Sequence, residues 1–356
     1  MKKQVDIFTS LTRITDLAES PFDIRALPRE HWQMGDYVVC DITDAGGNSL
    51  LIELPNGRMR GVIGGESIIG ALGVRHATLE ATGRWEEVGA DGKMHVLTGA
   101  GLFGKLTSKS VYLPPLMQLQ YRGHVFRGGN KLGMEDFVST VPQQPLNTPV
   151  VLFFGTSMSA GKTTSARIVT HLFKSSGHKV VGAKLAGAGR FKDILAMKDV
   201  GAEAIFDFVD VGLPSSICPV PVYREKLKQL LSRVASVGAD VVVVEVGASP
   251  LEPYNGSVAI EMLKPNLRFA VMSASDPYAV RGLMEAYGMK PDLVTGVASN
   301  TLAARELVEK LCRVRTVNFI DPSNSPLLRQ LLGRATGLSL NPENNANTKR
   351  HSTVPD

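Results

Sequence analysis

The spacing of apolar and polar residues changes near residue 140. Before that point, short apolar runs such as Tyr37–Cys40 and Met94–Leu97 alternate with glycines and turn residues. Asn56-Gly57 and Asp91-Gly92 favour hairpin turns, because these residue types tolerate a positive φ. The pattern predicts a smaller, mostly antiparallel β domain, a barrel or a sandwich, within residues 1–140.

After residue 149, apolar runs alternate with stretches of helical period. Runs such as Val241–Val244 are apolar on both faces, which is typical of central strands covered by helices. The alternation predicts a doubly wound parallel α/β sheet over residues 149–340, and the polar tail 341–356 is expected to be disordered. Strands are expected at 150–154, 179–184, 205–209, 240–246, 268–273, 293–298 and 315–319, and helices at 161–176, 192–201, 223–237, 256–264, 277–287, 301–312 and 324–334.

Composition limits the classes of partner. The 356 residues carry 39 basic and 34 acidic side chains, and few aromatic residues lie among the basic ones, so a nucleic-acid partner is not expected. A small anionic ligand such as a nucleotide accounts for the excess of positive charge. The N-terminus lacks an apolar segment of signal-peptide type, and Cys40, Cys218 and Cys312 are far apart. We therefore expect a cytoplasmic protein without a membrane partner, and a homo-oligomer.

Residues 155–164 read GTSMSAGKTT and follow the apolar run Val150–Phe154. A phosphate group needs several amide donors in a tight cup together with a mobile positive charge, and glycine lets the backbone curl closely enough. The segment therefore predicts a P-loop, in which Lys162 contacts phosphates and the Thr163 hydroxyl contacts Mg²⁺. The predicted nucleotide-binding residues here are Gly155, Thr156, Ser159, Ala160, Gly161, Lys162, Thr163 and Thr164.

Polar residues at the ends of two other strands extend this prediction. Ligands of open α/β sheets lie beyond the carboxyl ends of the strands, so Glu245 is expected to contact metal or substrate. Lys184 comes at the end of another strand, and a glycine turn with Arg190 follows it. This turn is consistent with a second anion site, and equally with a glycine loop carrying two solvated cations.

The remaining metal ligand and the base contact leave alternatives open. Asp193, Asp207 and Asp210 could each complete the Mg²⁺ shell or act as a general base, and we assign the metal position to Asp210. Asn300 follows the predicted strand 293–298, where its amide suits the edge of a purine base. An Asn that opens a helix is also an ordinary N-cap.

Together these features resemble the dethiobiotin synthetase-like branch of P-loop proteins, which includes amide-forming synthetases such as those acting on cobyrinic acid. That branch carries a GTDTGVGKT-type loop, and here too five residues separate Gly155 from Gly161. The resemblance covers about residues 150–320 and implies a substrate lysine at Lys184, a strand-end acid at Glu245 and an adenine contact at Asn300. Two departures are Ser157, where the branch has an acid, and a glycine turn after Glu245 that is only partly kept.

A second resemblance concerns the overall layout. The chain is similar to a two-domain P-loop group that includes a D-glutamate N-acetyltransferase, although its N-terminal half does not look like the nucleotide-fold domain of that group. We therefore carry over the fold and the loop, and no activity. The N-terminal half resembles no family, and we expect it to set specificity, to form oligomer contacts or to cover the P-loop.

The sequence thus predicts an ATP- and Mg²⁺-dependent kinase or ligase that acts on a small carboxylate-containing metabolite. The alternatives are a coenzyme-A-dependent N-acyltransferase and a nucleotide-gated regulatory or assembly protein. The predicted catalytic residues are Lys162, Lys184 and Glu245; the substrate-binding residues are Lys184, Gly187, Gly189, Arg190 and Gly247; and the metal ligands are Thr163, Glu245 and Asp210.

Overall fold

The computed structural model describes residues 5–46, 51–247 and 249–341. The predicted disordered tail therefore lies, apart from Asn341, outside the described residues. Across the described ranges, no helix combines the length and the apolar character that crossing a bilayer requires.

The N-terminal half is built from short strands that pair mostly antiparallel. Strands β6, β3, β11, β9 and β10 pair in that order, and β10 also pairs with β6, so these five strands close into a barrel. The mostly-β prediction is confirmed, and the architecture is a barrel with additional strands at its margins. The strands are β1 (Ile7–Phe8), β2 (Asp23–Arg25), β3 (Tyr37–Asp44), β4 (Ile52–Glu53), β5 (Met59–Arg60), β6 (Ser67–Leu72), β7 (Val74–His76), β8 (Ala81–Arg84), β9 (Lys93–Thr98), β10 (Leu102–Lys109), β11 (Gln118–Arg127) and β12 (Asn130–Lys131).

The C-terminal half is a parallel sheet with helices on both faces, as predicted. Its six strands are β13 (Val150–Gly155), β14 (Val180–Ala186), β15 (Ala204–Asp207), β16 (Val241–Val246), β17 (Leu267–Ser273) and β18 (Leu293–Thr295), in the order β15-β14-β16-β13-β17-β18. The helices are α1 (Lys162–Lys174), α2 (Phe191–Lys198), α3 (Val220–Ser236), α4 (Gly256–Leu263), α5 (Pro277–Tyr287), α6 (Leu302–Cys312) and α7 (Ser325–Thr336).

Alternation along β13 shows how the two helical layers are held. Val151 and Phe153 pack with α1, α2 and α7, whereas Leu152 and Phe154 belong to the core that includes α3, α4, α5 and α6. Both faces of the strand are thus buried under apolar side chains, which explains its unbroken apolar sequence.

One predicted strand is wrong. Residues 315–319 form no strand, and only Thr316 makes an isolated parallel bridge with Val294. The segment packs Val317 and Phe319 into the core beside α7, so its apolar residues are explained by burial without a ladder of hydrogen bonds.

The apolar core crosses from one half of the chain to the other. Leu11 and Tyr37 of the N-terminal half share a buried cluster with Leu185 of β14 and with Val209, which lies in the 3₁₀ turn after β15. Hydrogen bonds also join the halves, because the Glu53 carboxylate accepts from the amide nitrogens at the start of α2. The division of the chain at residue 140 remains a prediction, but the barrel and the sheet are packed directly against each other.

Candidate functional site

The loop between β13 and α1 forms a cup at the carboxyl end of the sheet. β13 ends at Gly155, where a Cβ would collide with the carbonyl oxygen of Ser273, so the strand tolerates only glycine there. Gly161 has a φ of 101°, a conformation that favours glycine, and it immediately precedes the first residue of α1. The free amides of the 13-residue helix and its dipole therefore face the cup. This strand–loop–helix unit within a parallel sheet is a P-loop NTPase fold.

Lys162 is held inside the cup. Its side chain is only 6% exposed, and its Nζ donates a hydrogen bond of 2.6 Å to the carbonyl oxygen of Ser157. Burial lowers the pKa of Lys162, because the charged ammonium is removed from water. The lysine is thus positioned across its own loop, and a phosphate oxygen in the cup would compete with the Ser157 carbonyl for it.

Thr163 and Glu245 form the second part of the cup. The Thr163 hydroxyl donates to Glu245 Oε2 at 2.8 Å, and Glu245 is 4% exposed. Burial raises the pKa of Glu245, against the opposing effect of the nearby Lys184 ammonium. The described residues contain no group of three or more His, Cys, Asp or Glu side chains that could hold a metal. Mg²⁺ commonly takes one or two carboxylate oxygens and fills its shell with phosphates and water, so a hydroxyl and a carboxylate side by side fit it.

The register of the parallel strands places Lys184 beside the cup. Lys184 on β14 is paired in register with Glu245 on β16, which in turn is paired with Phe153 on β13. Lys184 forms an ion pair with Asp193 of α2. Burial by itself lowers the pKa of Lys184, but the carboxylates of Asp193 and Glu245 outweigh it and raise that pKa overall. Lys184 is therefore held as a cation.

A cavity of about 260 Å³ joins the cup to this ion pair. It also takes in residues that the sequence did not indicate, among them Glu80 of the N-terminal half and Tyr254. The Tyr254 hydroxyl accepts from the backbone nitrogen of His76 at 2.8 Å, which ties this wall of the cavity to the N-terminal half. The predicted residues that line it are Ser159, Gly161, Lys162, Thr163, Thr164, Lys184, Gly187, Arg190, Glu245 and Gly247.

Other predicted residues lie outside this lining. The Thr156 hydroxyl accepts from the backbone nitrogen of Ser275 at 3.2 Å, and Gly189 lines an adjoining cavity. Gly155 and Ala160 belong to the loop without lining the cavity. Asn300 is exposed at the end of a short helical turn, and Thr301 is the N-cap residue of α6, with its hydroxyl accepting from Ala304. Contact of Asn300 with a base remains a prediction.

Asp210 is not brought to the cavity. Arg13 of the N-terminal half reaches it at 3.2 Å and also reaches Asp207 at 2.6 Å. The two acids cap a short 3₁₀ turn, since Asp207 accepts from the Val209 nitrogen and Asp210 accepts from the Asp207 nitrogen. Of the three aspartates that the sequence left open, Asp193 is the one that lines the cavity.

Comparisons with known proteins add little to this geometry. The chain matches no family and no curated protein. Among solved structures, it is similar to the signal recognition particle 54 kDa protein of Aeropyrum pernix K1 in complex with GDP, with a TM-score of 0.36 and 14% identity over 56% of this chain and 51% of that one. It is also similar to HypB of Helicobacter pylori in complex with nickel, with a TM-score of 0.34 and 14% identity over 54% of this chain and 88% of that one.

The chain thus spans about half the length of the signal recognition particle protein that it matches. Similarity at this level carries no argument about ligand or activity. The fold assignment rests on this chain's own strand order and loop, and the resemblance to the dethiobiotin synthetase-like branch stays a prediction.

Proposed function

We propose that the protein is an ATP-dependent enzyme that transfers the γ-phosphoryl group to, or activates, a small carboxylate-containing metabolite. The observation that carries the proposal is that the phosphate cup and a buried set of charged groups face the same cavity. Lys162, Thr163 and Glu245 line it as parts of the cup, and Lys184, Asp193 and Arg190 line it as a second set of charged residues. Buried charges with shifted pKa values in a cleft are a common signature of a reaction site.

The pair of Thr163 and Glu245 supports a nucleotide with Mg²⁺ over coenzyme A. A hydroxyl and a carboxylate oxygen 2.8 Å apart suit a hard divalent cation, which a triphosphate brings with it. When bound, Mg²⁺ neutralises charge on the phosphate oxygens. An anion-binding loop that took only the phosphates of coenzyme A would gain nothing from a buried carboxylate next to it.

The second set of charged residues supports an acceptor that carries a carboxylate. In the described part of the chain, Arg190 forms no ion pair, whereas the charge of Lys184 is shared with Asp193. A guanidinium group with free donors binds a carboxylate through two parallel hydrogen bonds. In the activation reaction, an acceptor carboxylate oxygen bonds to the γ-phosphorus as the bond to the β-phosphate oxygen breaks, leaving ADP and an acyl phosphate.

Within this scheme the chain's own residues mainly position charge. Lys162 exchanges its bond to Ser157 for a phosphate oxygen and stabilises the negative charge that gathers there. Lys184, held as a cation by Asp193, lines the same cavity as the cup. A nucleotide-gated regulator needs the cup but not this second set of charges.

Thermal unfolding and turnover test the proposal together. We expect Mg²⁺ with ATP to raise the melting temperature and acetyl-coenzyme A to leave it unchanged. ADP release should then increase when small carboxylates are supplied. If acetyl-coenzyme A stabilises the protein and Mg²⁺ with ATP does not, the proposal is wrong and an acyltransferase is favoured. Slow hydrolysis that no carboxylate changes would favour the regulatory protein.

A further inference from the structure

A second cavity, of about 250 Å³, adjoins the first and opens between the two halves of the chain. The two cavities share a boundary that contains the ion pair of Lys184 with Asp193 and the guanidinium of Arg190. The residues common to both linings are Glu80, Met158, Lys184, Ala188, Arg190 and Asp193. A molecule in the second cavity could therefore present one end to the phosphate cup.

The N-terminal half gives this cavity an apolar wall. Its side chains come from β4, β5, β9 and the segment leading into β11, and they include Ile52, Met59, Leu97, Leu113, Leu116 and Met117. Such a wall offers no hydrogen bonds to a polar ligand, but it favours an apolar group that leaves water. For scale, an apolar cavity of roughly 150 Å³ holds benzene. The second cavity is large enough for a phenyl ring or a short alkyl chain.

Two guanidinium groups bound the polar end. Arg75 is 7% exposed, donates to the Leu97 carbonyl oxygen at 2.7 Å and is paired with Glu80, yet its Nε has no hydrogen-bond partner within the described residues. Arg190 lines both cavities and forms no ion pair in that part of the chain. A buried donor without a partner is costly, so a ligand that supplies an acceptor here is favoured.

We infer that the second cavity binds the apolar body of the acceptor, which is a medium-chain aliphatic or an aryl carboxylate. Its carboxylate meets Arg190 at the boundary and faces the phosphates in the cup. The reaction assigned to this acceptor rests on the function proposed above, but its binding can be measured without that function. In this arrangement the β barrel selects the acceptor by its apolar part.

Methionine methyl groups report on the two cavities separately. Met59 and Met117 line only the second cavity, and Met158 lines both. In protein labelled with ¹³C-methyl methionine, hexanoate and phenylacetate should shift the Met59 and Met117 resonances, and acetate should not. The spectra are recorded with and without Mg·ADP, and single Met→Leu variants assign the resonances.

A matched pair of variants locates the effect. Leu113→Trp fills part of the cavity. The apparent affinities for hexanoate and phenylacetate, measured from the shifts, should therefore fall at least tenfold. Leu79→Trp places the same bulk on a side chain that is 63% exposed and does not line the cavity, and should leave them unchanged. Equal shifts by all three carboxylates, or no shifts at Met59 and Met117, would overturn the inference.

The same spectra separate this inference from the proposed function. Mg·ATP alone should shift Met158 and leave Met59 and Met117 in place. If ATP shifts none of the three while hexanoate still shifts Met59 and Met117, the apolar site stands and the nucleotide assignment fails. If ATP shifts Met158 and the carboxylates do nothing, the nucleotide assignment stands and the acceptor site is wrong.

Discussion

Two buried ion clusters lie on neighbouring strands, and they have different surroundings. Lys184 on β14 and Asp207 on β15 are paired in register. Lys184 and its partner Asp193 line both cavities. Asp207 and Asp210, with Arg13 between them, line neither, and they fasten the N-terminal half to the end of the sheet.

The balance of charge in each cluster also differs. One cation, Arg13, serves two carboxylates, of which that of Asp207 is fully buried and that of Asp210 is 21% exposed. The pKa of Asp210 is raised to about 6 by burial and by the adjacent Asp207, against the effect of Arg13. Around Lys184, the carboxylates raise the pKa of the lysine instead. A buried ion pair thus indicates a reaction site only when it faces a space that a ligand can enter. Otherwise it holds packed elements in place.

The largest effect is expected from a variant that breaks the cluster of Arg13, Asp207 and Asp210. Arg13→Met leaves the fully buried carboxylate of Asp207 without its cation, which costs about 3–5 kcal/mol in the free energy of unfolding. Denaturant unfolding followed by fluorescence measures it. Binding of Mg·ATP by the folded fraction should be unchanged, because Arg13 does not line the cavity.

Arg25→Met is the control for this change. Arg25 pairs with Asp23 on the surface, where both side chains are more than half exposed, so its loss should cost less than about 1 kcal/mol. If both variants lose the same small amount of stability, the cluster of Arg13 does not join the two halves.

The next effect concerns the cluster that faces the cavity. Lys184→Met leaves Asp193 unpaired, but that side chain is partly exposed, so we expect a smaller loss of about 1–3 kcal/mol in stability. Carboxylate-dependent ADP release should fall by about a hundredfold, and Lys184→Arg should keep part of it. A loss of stability as large as that of Arg13→Met, with turnover preserved, would make both clusters structural.

The last effect is the pH dependence that Asp210 gives to folding. Its pKa is about 6 in the folded protein, above the ordinary value of 3.8, so the folded state holds an extra proton between these values. The contribution of Asp210 is therefore fully present at low pH and is lost as the pH rises through about 6, with a slope of at most about 1.4 kcal/mol per pH unit.

Asp210→Asn removes this titration, so its unfolding free energy should fall less steeply than that of the unchanged protein between pH 4 and 7. Chemical denaturation at several pH values in that window measures the two slopes. Parallel profiles would show that Asp210 is not the titrating group. The altered hydrogen bonds should also shift the unfolding free energy by the same amount at every pH. Only a difference between the two slopes therefore reports on the titration.

The sequence predicted those parts of the site that depend on local patterns. Gly161, Lys162 and Thr163 are adjacent in the chain, and the strand ends carrying Lys184 and Glu245 meet wherever parallel strands lie side by side. The choice between Asp193 and Asp210 was beyond the sequence, because the partner that holds Asp210 is Arg13, 197 residues away. The predicted metal role of Asp210 has no support from this placement.

The N-terminal half illustrates the same limit. Its strands could be predicted from short apolar runs and turns, but Glu80 and Arg75 carry no local signal of a site. They reach the cavities only because the barrel packs on the sheet, with Glu53 capping α2 from the other half of the chain. Residues 315–319 show the opposite error, since a segment whose Val317 and Phe319 are buried beside α7 was predicted as a strand.

The most direct test of the account is the calorimetric affinity of Lys162→Ala for Mg·ATP. Removing a buried charged partner of the phosphates should cost at least about 2 kcal/mol, or roughly thirtyfold in affinity. Lys290→Ala, an exposed lysine outside the cavity lining, should bind as the unchanged protein does. Equal affinity in all three proteins would contradict the placement of the phosphates in the cup and the proposed function with it.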